Sequence, residues 1–304
     1  MQSYPIRMRN LPVVPPDAKK PPGAAVEDRA RVSQVTEIRP SIGLLDLDWA
    51  EFWQFRELLY TLTVRDIQIL YKQAALGAAW AIIQPIFAVT IFSIVFGRFV
   101  GISSGGVPYP LFVFAAVLLW TYFAEALRRS ATNMVSDAEL IRKVYFPRLV
   151  MPLAGVIAPL LDLALGFVVL LVLMAWYAHA PGWRILLAPA FVVMAGVLAL
   201  SVGLWLGPLN IRFRDIKHTL PFLIQVWMYA SPVIYPLSIV PTNLRWIYSL
   251  NPMVGIVEGF RWAVLGTEAA SFQAIAIGAA LTMTLLCSGL VFFRHMERTF
   301  ADTI

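Results

Sequence analysis

The sequence is poor in charge. Only 14% of its 304 residues are Asp, Glu, Lys or Arg, and 59% are hydrophobic. A soluble domain carries about a quarter charged residues, so the chain reads as a membrane protein with little left over for a soluble enzyme domain. Cysteine is nearly absent. The single Cys287 sits among Leu285, Leu286 and Leu290, which excludes a disulfide framework and a cysteine metal site. No G-x-x-x-x-G-K-[ST] run occurs, so the chain lacks the usual phosphate loop for binding and splitting ATP. Its three histidines, His179, His218 and His295, stand far apart in sequence, and no metal-ligand cluster is visible. The first residues carry Arg7, Arg9, Lys19 and Lys20 among prolines without an apolar core, unlike a cleavable signal peptide. The net charge of +6 is scattered among hydrophobic runs rather than gathered on one soluble face, which fits membrane topology and not nucleic acid.

What is present is a series of apolar segments. Residues 1–43 hold seven of the 21 prolines and show no hydrophobic periodicity, the pattern of a disordered cytoplasmic tail. From 44 to 77 the character changes. Asp46 and Asp48 are candidate caps, and Trp49, Phe52, Trp53, Phe55, Leu59 and Leu62 recur at spacings of three and four, which predicts an amphipathic helix lying in the membrane interface. Residues 78–304 then read as six spans. They run from about Ala78 to Val100, Pro110 to Ala126, Leu149 to Tyr177, Ile185 to Leu209, His218 to Tyr235 and Phe272 to Phe293. Between the last two, in 236–270, Asn251-Pro252 is a helix start. Met253, Ile256, Val257, Phe260 and Val264 form a stripe opposite Glu258 and Arg261. That stripe is too short for a core of ~30 Å, so short re-entrant or interfacial helices at the periplasmic surface are expected. The fold class is therefore all-α and polytopic.

Between the second and third spans lies a polar interruption, Ser136 to Pro152, that mixes charges with apolar side chains at helical spacing. A short helix over 136–148, too charged to span, must lie at a membrane surface where a soluble partner can grip it. Glu139, Arg142, Lys143, Tyr145, Phe146 and Arg148 are its candidate contact residues. Of the 24 Lys and Arg, only Arg98, Arg184, Arg245 and Arg261 fall outside when both termini are inside, which places this stretch in the cytoplasm. Two acids, Glu125 and Asp162, fall within or beside spans. Each is either a functional carboxylate or a partner in helix packing. Aromatics are abundant, and most are anchors or bundle contacts. Tyr122, Trp227 and Tyr229 are the candidates for stacking on sugar rings along a substrate path.

Several motifs carry a family likeness. Arg65-Asp66-Ile67, Tyr71-Lys72-Gln73, Leu76-Gly77, Trp80 and Gln84-Pro85 resemble the approach to the first span in ABC-2 type permeases that export polysaccharides. Lys143 to Arg148 (KVYFPR), Ser231 to Tyr235 (SPVIY), Asn251-Pro252 and the ending Glu297 to Ile304 (ERTFADTI) are similar to the same family. The likeness covers about residues 45 to 304, in order, and leaves out the proline-rich tail. It implies a half-transporter that pairs with a second copy of itself and with two copies of a separate ATP-binding cassette ATPase. ATP and Mg would be bound by that ATPase and no cofactor by this chain. The implied substrate is a lipid-linked polysaccharide, such as O-antigen, capsule or teichoic acid, moved across the bacterial inner membrane.

By the same likeness, Leu76 and Gly77 lie where the lipid diphosphate enters. Arg65 or Lys72 could neutralise phosphate there, and a plain turn with basic residues placed by the inside rule is the equal alternative. Leu70 and Ala74 depart from the family pattern, where more polar residues are common. Two other functions compete: an ABC-2 exporter of a smaller lipid or drug, and a membrane-embedded glycan- or lipid-modifying enzyme. The latter needs convergent acids, and the sequence offers only the Asp137/Glu139 and Asp46/Asp48 pairs.

Overall fold

The computed structural model describes residues 53–72, 79–102, 104–143, 146–213, 215–267 and 272–297, all within the unit Gly43–Ile304. The expected tail, Leu76, Gly77 and Tyr145 lie outside the described residues, as do the side chains of Lys72 and Arg142. All regular secondary structure among the described residues is helical. In chain order the helices are α1 (Arg56–Lys72), α2 (Ala79–Phe92), α3 (Tyr109–Ser136), α4 (Ala138–Lys143), α5 (Val150–Ile157), α6 (Leu160–Trp176), α7 (Ala188–Arg212), α8 (Ile216–Tyr229), α9 (Arg245–Tyr248), α10 (Pro252–Leu265) and α11 (Phe272–Glu297).

Among the described residues, four helical stretches are long and apolar enough to cross a membrane: Tyr109–Ser136, Val150–Trp176, Trp183–Arg212 and Phe272–Glu297. Of the other two expected spans, the first is a continuous helical run from Ala79 to Phe99, and the fifth is shorter than the sequence pattern implied. The first passes from α2, with Pro85 inside it, into wide π turns over Ser93–Phe99. The fifth stops at Tyr229, and Ser231-Pro232 follows, because the residue before proline is pushed away from helical geometry. Its 14 residues reach about 21 Å at the usual helical rise.

Helix α3 is the centre of the bundle. Every residue from Leu111 to Trp120 is buried, as expected of a helix that is apolar on all faces. Helices α5, α6, α7, α10 and α2 surround it. Close crossings rest on small residues, the usual device where lipid supplies no hydrophobic drive between helices. A Cβ on Gly203 of α7 would lie 2.1 Å from Ser130 Oγ on α3. At Gly255 of α10 the obstacle is main chain, since a Cβ would lie 2.4 Å from the carbonyl oxygen of Ala274 and 2.9 Å from Ile275 Cα. Gly255→Val is therefore expected to destabilise the α10–α11 contact by about 1–3 kcal/mol, read as a lower melting temperature in detergent. An unchanged melting temperature would mean the two helices separate freely.

Of the two settings expected for short helices in 236–270, re-entrant or interfacial, the burial of α10 is unlike the interfacial one. Helix α10 begins as predicted, with the Asn251 side chain accepting from the Met253 N–H at 3.1 Å and Pro252 at its first position. It ends at Gly266, whose φ of 65° suits glycine. Instead of lying on a surface with a polar face outward, it packs inside the bundle against α3, α7 and α11. Arg261, expected at the far surface, is fully buried. The reason is that local backbone carbonyls need its donors, as described below.

Candidate functional site

The charged end of α3 gathers most of the polar chemistry. Asp137 ends that helix, its N–H donating to Asn133 O at 2.9 Å, and α4 begins at the next residue. Helix α1 meets this corner through Arg65. The guanidinium donates to Asp137 Oδ2 at 2.5 Å and to Asp66 Oδ1 at 2.9 and 3.2 Å, while Asn133 Nδ2 donates to Asp66 Oδ2 at 3.2 Å. Burial lowers the Arg65 pKa, but the two carboxylates outweigh it and hold the group above its ordinary value, so it remains charged. The four side chains clasp α1 to the α3–α4 corner.

An apolar cradle lies alongside this clasp. Leu62 of α1, Met134 of α3, Phe146, Met151 of α5, Leu204 of α7 and Phe293 of α11 form one buried cluster, with Leu140 of α4 packed against it. Leu140 faces inward as the amphipathic pattern implies, and Phe146, expected among the partner-contact residues, is buried in the bundle as well. Glu139 and Lys143, paired at 3.1 Å, keep side-chain exposures of 85% and 72%, so both face away from the bundle. Arg148 Nη1 donates to the Glu297 carbonyl at 2.6 Å, tying the segment after α4 to the end of α11.

The two acids within or beside spans both have partners. Glu125 accepts from Arg128 at 2.6 and 2.9 Å and from Arg129 at 2.6 Å. The Tyr71 hydroxyl donates to the Asp162 carboxylate, joining α1 to α6. Both are thus held in side-chain contacts between or along helices.

The three candidate path aromatics have different settings. Tyr122 is 4% exposed, with its hydroxyl 3.5 Å from Val156 O. Trp227 is half-buried, edge-on to Phe123 and Trp120, and its indole N–H donates to Asn251 Oδ1 at 2.9 Å. Tyr229 is 55% exposed.

At the opposite end of α3 is a second polar knot that sequence reasoning missed. The chain after α8, Ser231 to Ile234, is buried without regular structure, and buried backbone groups must find partners. Arg261 supplies them. Its Nη1 donates to Pro232 O at 2.6 Å, Nη2 to Val233 O at 2.5 Å and Nε to Phe112 O at 3.1 Å. Glu258 pairs with it at 3.1 Å, and the guanidinium carbon lies 3.6 Å from the centre of the Phe112 ring. Tyr109 donates to Ile234 O at 2.8 Å, and Asn251 Nδ2 to Ala230 O at 2.9 Å. An arginine on a short, mostly apolar helix was the available signal. The Arg65–Asp137 pair left none, because its members stand 72 positions apart.

Residues 57–265 match the family model described as ABC-2 type transporter. The O-antigen export system permease protein RfbA of Myxococcus xanthus is 27% identical, over 84% of this chain and 98% of that protein. A protein of the same name from Klebsiella pneumoniae is 24% identical over 82% of this chain and 95% of its own length. The polysialic acid transport protein KpsM of Escherichia coli is 25% identical over 78% of this chain and 92% of its own.

Proposed function

Because the chain belongs to the ABC-2 type transporter family, we propose that it is the permease subunit of a lipid-linked polysaccharide exporter. O-antigen is the favoured cargo, supported by the names of the relatives whose length it nearly spans. The exporter works in the bacterial inner membrane as two copies of this chain with two copies of an ATP-binding cassette ATPase, which carry ATP and Mg. The short helices α2 and α8 complete six membrane segments in this arrangement, with both termini in the cytoplasm.

The observation that carries the reading is the exposed Glu139 and Lys143 pair on a short helix, set at the end of the buried 28-residue α3. A soluble ATPase that grips α4 gains leverage on the centre of the bundle. Asp137 and Arg65 pass that displacement to α1, which borders the mouth where the lipid diphosphate enters. Tyr229, with an exposed ring, offers an apolar face to the sugars, and Trp227, edge-on to Phe123 and Trp120, stands on the same helix. Lys143→Glu, co-expressed with the ATPase, is expected to lower surface polymer about tenfold through like-charge contact, with membrane levels and ATP hydrolysis retained. Undiminished export would place the ATPase contact elsewhere.

A further inference from the structure

The last helix carries a cleft that the export reading does not use. Trp205 of α7 and Cys287, Ser288, Val291, Phe292 and His295 of α11 line a volume of about 810 Å³, within the range of roughly 300–1,000 Å³ common for ligand sites. One wall is aromatic. The Trp205 indole stacks on Phe292 with centroids 4.4 Å apart and planes 13° apart, and its N–H donates to Ser288 Oγ at 3.4 Å. A Cβ on Gly289 would meet Ser201 O at 2.9 Å and Trp205 Cδ1 at 3.2 Å, so α7 and α11 are in close contact. From Cys287 to His295 the cleft follows the helix axis for about 12 Å.

Charge is concentrated at one end of it. Arg212 is the last residue of α7, and Arg294 and His295 lie in the last turn of α11. Arg148 reaches the same turn through the Glu297 carbonyl at 2.6 Å. At that turn the Glu297 carboxylate lies 3.1 Å from Arg294. An apolar trough along a spanning helix with cationic groups at its end has the polarity of an anionic amphiphile. A second copy related by a two-fold axis fits it poorly, because the two cationic ends would face each other.

We propose that this cleft seats an acyl chain of an anionic membrane phospholipid, with its phosphate over Arg294 and His295. The test is native mass spectrometry of the full-length protein in detergent, titrated with phosphatidylglycerol or with phosphatidylcholine of the same chains. Retention of phosphatidylglycerol is expected to exceed that of phosphatidylcholine about fivefold, the factor associated with one well-placed basic residue. His295→Glu is expected to remove that preference, and Val291→Trp, which fills the trough, to reduce retention of both lipids. Equal retention by the wild type, an unchanged preference in His295→Glu, or unchanged retention in Val291→Trp would overturn the proposal. So would efficient disulfide cross-linking of two copies through Cys287 in vesicles, which would put the second copy in the cleft. Lipid retention is read without transport, so failure here leaves the export reading intact.

Discussion

Arg261→Leu is expected to leave little folded protein in the membrane. The guanidinium donates to three backbone carbonyls, of Phe112, Pro232 and Val233, and pairs with Glu258. Leucine fills part of the volume and offers no donor, so the carbonyls and the carboxylate lose their partner in a site closed to water. Breaking a buried ionic arrangement from one side costs about 3–5 kcal/mol, a large part of the roughly 5–15 kcal/mol that holds a domain together. Size-exclusion elution of a fluorescent fusion, compared at equal synthesis, should show loss of the main peak. Arg261→Lys should be intermediate, because one ammonium keeps the charge but lacks the fork that spans three acceptors. Normal elution and melting of Arg261→Leu would show that other donors can serve the Ser231–Tyr235 turn.

The second large effect is expected at Arg65. Arg65→Asp brings a carboxylate beside Asp66 and Asp137 and releases α1 from the α3–α4 corner. Losing these charge-assisted hydrogen bonds costs roughly 2 kcal/mol, or about thirtyfold in the docked population of α1. Export of surface polymer should fall accordingly, with the chain still inserted and the ATPase still bound. Adding Asp137→Arg returns a cation to the same corner and is expected to recover much of the export. That recovery separates two roles. A cation needed for the lipid diphosphate would not be restored by moving it to position 137, whereas a clasp needs only opposite charges in contact. Export that stays absent in the double variant would favour the phosphate role.

The parts of the candidate site legible in the sequence were local ones. The mixed polarity of Ser136 to Pro152 marked a short helix, found at Ala138–Lys143 with Leu140 turned in and Glu139 and Lys143 turned out, whereas Phe146, a candidate partner contact, is buried in the bundle. Asn251-Pro252 marked a helix start because an asparagine cap and an N1 proline act within a few residues. The length of the fifth apolar segment was overestimated. Hydropathy registers apolar residues whether or not they remain helical, and the break at Ser231-Pro232 does not alter it. Arg261 was placed at a surface for a related reason: periodicity shows which residues share a face, but not whether neighbouring chain covers the opposite one.

The sequence by itself determined the class of molecule. Scarce charge, long apolar runs and one polar interruption specify a helical membrane protein, because these properties follow from composition and short spacings. The tertiary structure decided which charges meet. Arg65 finds Asp137 across 72 positions, Arg261 finds the carbonyls of an unwound turn, and Arg148 finds the end of the last helix. In a low-dielectric bundle each buried charge must be satisfied wherever the fold brings a partner, and that location depends on how the helices cross.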